Sequence, residues 1–207
     1  MSLVSRPVAW LTASAVVLAI AATLLVVRLS SVTPVSDAGG RASLYDFSAP
    51  SLEGTSTRLA SWRGQVALVV NVASECGLAY QYPGLESVYR RFRDQGFVVL
   101  AFPSNDFWQE PNDEAGIRQV CATRGVSFPV FGRSHVRGRD RSDIYGFLAG
   151  TGETPIWNFA KYLVGRDGRP RAFFGSLIDP SAPEVTAAIE SALAEAVPAG
   201  PKGPSPD

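Results

Sequence analysis

"QVALVVNVASECG", Gln65 to Gly77, decides the fold. Its first nine residues, Gln65–Ala73, form a near-continuous Val-rich run, the pattern of a strand covered on both faces of a sheet. After it, Tyr82, Leu85, Val88, Tyr89 and Phe92 recur at helical spacing, with Glu86, Arg90, Arg91, Arg93 and Asp94 on the other face. This predicts a helix from about Tyr80 to Gln95, stopped by Gly96. "FVVLAF", Phe97–Phe102, is a second buried strand. Strand, helix and strand then make a unit whose two strands run parallel through a right-handed crossover.

Further elements follow on either side. A helix starts near Asn112 or Asp113, whose side chains can cap it, and carries Ile117, Val120 and Cys121 before Gly125. "FPVF", Phe128–Phe131, and the hairpin "YLVGRDGRPRAFF", Tyr162–Phe174, supply more strands, with Asp167-Gly168 as the turn. A last helix spans about Pro183 to Ala196. Alternating strands and helices give an α/β domain.

At the junction between the first strand and its helix stands Cys76, one of only two cysteines. A sulfur there sits at the carboxyl end of a parallel strand, beside unpaired helix amides that favour the thiolate, the reactive form. There is no Cys-x-x-Cys, because Leu78 and Ala79 follow Gly77, which argues against a dithiol exchanger. Two cysteines and the single histidine, His135, do not make a zinc site of the usual kind, and no cofactor is expected.

Nineteen basic residues balance nineteen acidic ones, so nothing in the charge suggests nucleic-acid binding. Near the amino terminus, "PVAWLTASAVVLAIAATLLVV", Pro7–Val27, carries no charge and lies between Arg6 and Arg28. Its length suits an uncleaved transmembrane anchor over residues 1–28 that leaves the catalytic domain outside the cytoplasm. The alternative is a signal segment cleaved near Ser36-Asp37-Ala38, with export of the remainder. Residues 29–42 read as a flexible tether, 43–197 as one domain, and the Pro- and Gly-rich 198–207 as a disordered tail.

Several spaced segments, "NVASECG", "VLAFPSNDFWQEP", "FPVF" and "IWNFAKYLVGRDG", together with the opening "SLYDFSAPSLEGTSTRLASWRG", resemble the signature segments of the glutathione peroxidase family in its cysteine-containing form. The resemblance implies a thioredoxin-like fold, a central mixed sheet flanked by helices, and a thiol peroxidase. It implies that Cys76 is the peroxidatic residue and that Gln109, Trp157 and Asn158 complete a catalytic tetrad. An amide and an indole N–H are neutral donors that stabilise charge on a departing oxygen without a histidine base.

In the members that use thioredoxin, the resolving cysteine lies in the helix after "QEP", and Cys121 resembles that residue. The implied cycle oxidises Cys76 to a sulfenic acid with hydrogen peroxide or an organic hydroperoxide. It then closes a Cys76–Cys121 disulfide, which a thioredoxin-like protein or glutathione reduces. A disulfide needs Cα atoms within ~7 Å, so the Cys121 helix is expected to unwind locally.

The loop "NDFWQEP" is one residue shorter than the family's usual form, and the short connection from Phe147 to Trp157 lacks the insertion used for tetramer contacts, implying a monomeric domain. Other readings stay open. Cys121 beside Val120 also reads as core, and His135, Arg137, Arg139 and Arg141 as a solvated basic loop. A second function, a membrane-tethered redox sensor or relay without high turnover, fits the same residues.

Overall fold

The structure, a computed structural model, describes residues 7–35 and 42–197, with side chains from Ala15 onward. At its centre lies a five-stranded sheet. Strand β4, Val66–Val72, is buried at every residue and pairs in parallel with β5, Phe97–Pro103. On its other side β4 runs antiparallel to β6, Lys161–Val164. Next come β7, Pro170–Phe174, and the edge strand β1, Val32–Pro34, each antiparallel to its neighbour. A separate hairpin pairs β2, Ser48–Pro50, with β3, Ser56–Arg58.

Strand alternation divides the core in two. Val66, Leu68, Val70 and Val72 of β4 face one apolar cluster. They meet Leu85, Val88 and Phe92 of α2, Tyr82–Phe92, and Val185 and Ile189 of α5, Pro183–Ala194. Ala67 and Val69 face a second cluster containing Leu44, Tyr45 and Leu59. Ile144, Tyr145 and Leu148 of a short helix, Asp143–Ala149, complete that side. This is the mixed sheet with flanking helices that the resemblance implies.

Several expectations hold closely. The helix read as Tyr80–Gln95 is a 3₁₀ turn, Gly77–Gln81, then α2, then a second 3₁₀ turn, Arg93–Gln95, closed by Gly96 at φ 88°. α3, Glu114–Thr123, is capped by Asp113, whose side chain accepts from the Gly116 N–H at 2.8 Å. The Asp167-Gly168 turn joins β6 to β7, with Gly168 at φ 79°. A Cβ there would collide with the Ser43 hydroxyl, so the position demands glycine twice over.

Others need correction. "FPVF" is no full strand: Val130 and Phe131 make one isolated bridge each, to Ala101 and Ser51. Pro129 offers no N–H, and the Gly132 N–H goes to Pro50 instead of extending the ladder. Asp143–Ala149, the short helix α4, follows from no sequence signal used above. It is brief, interrupted by Gly146, and held by burial of Ile144, Tyr145 and Leu148.

The expected tether is docked along part of its length. β1 pairs with β7, and the Gly175 and Leu177 N–H groups donate to the Ser31 and Leu29 carbonyls at 2.7 and 2.8 Å. Residues 36–41 of that tether, residues 1–6, and the expected disordered tail 198–207 lie outside the described residues.

The expected transmembrane anchor is not supported as a span. Pro7–Leu29 forms helix α1. Among the described residues no helix is long and apolar enough to cross a membrane.

Candidate active site

Cys76 ends the loop after β4 and caps the 3₁₀ turn Gly77–Gln81; its sulfur accepts the Leu78 N–H at 3.4 Å. The side chain is 5% exposed and contributes to the main apolar cluster. One backbone amide of the turn is therefore directed at the sulfur, as expected at the start of a helical turn.

Three other segments converge on this end of the sheet. The Glu75 N–H donates to the Gln109 carbonyl at 3.0 Å, which sets the "QEP" loop beside the residue preceding Cys76. Asn158 Nδ2 donates to Gln109 Oε1 at 3.0 Å. With its oxygen so engaged, the Gln109 amide keeps its nitrogen as a hydrogen donor. Asn158 is fully buried, and its Oδ1 has no partner.

Trp157 is half-buried against Phe107, with ring centroids 5.5 Å apart, and its carbonyl accepts from Asn71 Nδ2 at 3.2 Å. The structure thus brings Gln109 and Asn158 into direct contact. Trp157 is tied in through its backbone, and Cys76 is joined to the group through Glu75.

Two side chains that hold this arrangement were not singled out from the sequence. Asn71 sits inside the Val run of β4. Its Oδ1 accepts the Ala160 N–H at 3.0 Å, its carbonyl accepts the Phe159 N–H at 2.6 Å, and its amide holds Trp157. A polar residue amid buried aliphatics is the signal that could have found it. Glu110 is fully buried; one carboxylate oxygen accepts both the Ser74 N–H and hydroxyl at 2.8 Å, and the other accepts from Asn112. It pins the loop carrying Gln109 to the loop carrying Cys76.

Strain accompanies the convergence. Trp108 and Phe159 have φ of 56° and 63°, the positive-φ non-glycine residues among those described, and each adjoins a candidate tetrad residue. Such conformations cost ~1–3 kcal/mol each and persist only where the surroundings impose them.

Cys121 lies elsewhere, in the second half of α3, packed with Leu52 and Ile117 in a small separate cluster. It borders a groove of about 500 Å³ lined by Leu52, Val126, Phe128 and Val130. Burial, with help from the Glu110 charge, pushes its thiol up to about 11. Both cysteines are free thiols. Tyr82 lies close to both: burial raises its phenol, and the charges of Cys121, Glu110 and Cys76 add to the shift.

The basic loop is partly engaged. His135 Nδ1 lies 2.7 Å from Asp106 Oδ1, and the Arg137 guanidinium sits 4.6 Å from the Phe107 ring centre. Among the described residues no group of three or more His, Cys, Asp or Glu could hold a metal ion.

The glutathione peroxidase family profile matches residues 44–149. A hydroperoxy fatty acid reductase of Synechocystis is 40% identical over 163 residues, covering 72% of this chain and 95% of its own. A thioredoxin/glutathione peroxidase of Escherichia coli is 38% identical over 171 residues, covering 70% of this chain and 93% of its own. Among solved structures, Trgpx in its apo form superposes with a TM-score of 0.62 at 33% identity, covering 76% of this chain and 99% of that one. A thioredoxin-family thiol:disulfide interchange protein of Chlorobium tepidum, 17% identical with a TM-score of 0.55, covers 79% of this chain and 98% of that one, and shows the fold alone.

Proposed function

The chain belongs to the glutathione peroxidase family and is a peroxidase, and from that premise we propose that it works as a Cys76 thiol peroxidase resolved by Cys121. The Cys76 thiolate attacks the terminal peroxide oxygen, the O–O bond breaks, and the leaving oxygen takes up a proton to depart as water or alcohol. Cys76 is left as a sulfenic acid. Donors from Gln109, Trp157 and Asn158 stabilise charge on the leaving oxygen. The observation that carries the assignment is the Asn158–Gln109 bond, because it joins two segments far apart in sequence at the end of the sheet where Cys76 stands.

In the second step the Cys121 thiol condenses with the sulfenic acid, releasing water and forming a disulfide. A dithiol protein of thioredoxin type then reduces that bond and becomes oxidised itself. Its relatives include both a thioredoxin/glutathione peroxidase and glutathione peroxidase-like peroxiredoxins, which supports a thiol reductant of either kind. A buried second cysteine favours the dithiol protein over glutathione. The catalytic domain acts as a monomer on the extracytoplasmic side, to which the uncharged run Pro7–Val27 directs it.

The test is peroxide consumption by the full chain in detergent, with thioredoxin or glutathione as donor. Cys76→Ser abolishes turnover with either. Cys121→Ser abolishes it with thioredoxin, and mass spectrometry of the oxidised wild type finds a Cys76–Cys121 bond. Equal thioredoxin-dependent rates in Cys121→Ser and wild type would remove Cys121 from the cycle. Oxidation of Cys76 with negligible turnover, and a client protein trapped on it, would favour the relay.

A further inference from the structure

We infer that the Cys76 end of the sheet is a lipid-facing surface, on which α1 and a rim of exposed apolar side chains seat the catalytic mouth against a bilayer. The inference rests on the peroxidase reading for its substrate, a hydroperoxide carried within the bilayer, and on strand register for its geometry. Lys161 of β6 pairs with Val70 near the carboxyl end of β4, where the loop to Cys76 begins. Lys161 also pairs with Phe174 of β7, and Phe174 pairs with Val32 of β1. Register thus carries the catalytic end across the sheet to the first residue of β1. α1 ends three residues earlier, at Leu29, so the helix enters the domain at the catalytic end.

That entry is fixed. The Leu177 N–H donates to the Leu29 carbonyl at 2.8 Å, and Arg28 pairs with Glu153 at 2.9 Å, close before Trp157. A Cβ on Gly175 would collide with the Leu29 carbonyl, so backbone meets backbone at this root.

The exposed apolar side chains are distributed unevenly. In the domain proper, the large ones are Val32, Tyr80, Trp108, Ile156, Leu177 and Val197. Tyr80 lies in the turn that Cys76 caps, Trp108 precedes Gln109, Ile156 precedes Trp157, and Leu177 bonds the end of α1. Among the described residues of this kind only Val197 stands apart, next to Gly64 at the opposite end of β4. Trp108 is 81% exposed despite a strained backbone. Side chains of this kind, clustered around one opening, mark a surface that meets an apolar partner.

α1 names that partner. Along its described length Val16, Val17, Leu18 and Leu24–Val27 are all exposed, so apolar groups go round the helix without a protein face against them. A helix that is apolar on all sides is covered by lipid or by a core, and no core among the described residues covers it.

The experiment uses the full chain with phosphatidylcholine vesicles, containing phosphatidylcholine hydroperoxide for rates and brominated phosphatidylcholine for contact. Tyr80→Ser/Leu177→Ser should lower kcat/KM on the vesicle hydroperoxide about tenfold, equivalent to ~1.4 kcal/mol of surface binding, while turnover of hydrogen peroxide stays at the wild-type rate. A flexible Gly/Ser linker of about ten residues inserted after Leu29 should lower the vesicle rate but not vesicle binding.

Independently of activity, brominated lipid should quench a fluorescence component present in the wild type and missing in Trp108→Phe. Failure to quench that component, or a vesicle rate untouched by the rim substitutions and the linker, overturns the inference. A dimer in light scattering with Trp108 unquenched assigns the rim to a second copy and overturns it too. Loss of hydrogen peroxide turnover in the wild type would instead sink the peroxidase reading, leaving the quenching result to stand alone.

Discussion

Lys161 shows what one buried residue can impose. It is fully buried, and its ammonium donates to Gln81 Oε1 at 2.6 Å and to the Ile178 carbonyl. Burial pushes the amine down to about 7, with the Asp179 charge opposing. The folded state therefore binds fewer protons than the unfolded chain between pH about 7 and the ordinary 10.5. The penalty is full below that window and is relieved as pH rises through it. Stability measured by urea unfolding should climb from pH 7 to pH 9, and Lys161→Met should flatten the slope. Above the ordinary thiol value of 9.0 Cys121 pulls the other way, since its raised value lets the folded state hold a proton that the unfolded chain releases. At the site, Asn158→Ala removes the partner of Gln109 and should lower kcat/KM for hydrogen peroxide by about 10²-fold, the effect of losing one positioned donor.

Among the elements, α3 is the one that the proposed Cys76–Cys121 bond requires to move. Cys121 sits in its second half, away from the main cluster, and its start depends on the Asp113 cap. Asp113→Ala should weaken the helix by ~1 kcal/mol and, if unwinding limits the second step, speed formation of the Cys76–Cys121 bond after a peroxide pulse. Stopped-flow loss of free thiol reads this directly; an unchanged rate would mean the helix opens without limiting the cycle. The junction of α1 and β1 with β7 is the opposite case, an element fixed by close packing. Gly175→Ala should open it, and hydrogen exchange at the Leu177 N–H should rise while the amides of β4 and β5 keep their protection.

At the scale of the molecule, β4 joins two apolar clusters on opposite faces of one sheet, and its stability is shared by both. Leu68 is fully buried in the first. Leu68→Ala should cost ~2–5 kcal/mol and lower the thermal midpoint of the whole domain in a single transition. Separate melting of the two faces would contradict that division of the core.

The Val run, the helical spacing after Cys76 and the Asp-Gly turn determined the sheet centre, α2 and the β6–β7 hairpin, because period and turn chemistry are local properties of the chain. The sequence also pointed to Cys76, Gln109, Trp157 and Asn158 as candidates through spaced motifs. It did not disclose Asn71 or Glu110, which act only through partners distant in the chain, nor α4, whose few residues are helical because of what they pack against. Above all it did not show the docked β1. Three residues of weak local preference become a strand when an unpaired sheet edge lies beside them, and that pairing alone decides at which end of the molecule the first helix stands.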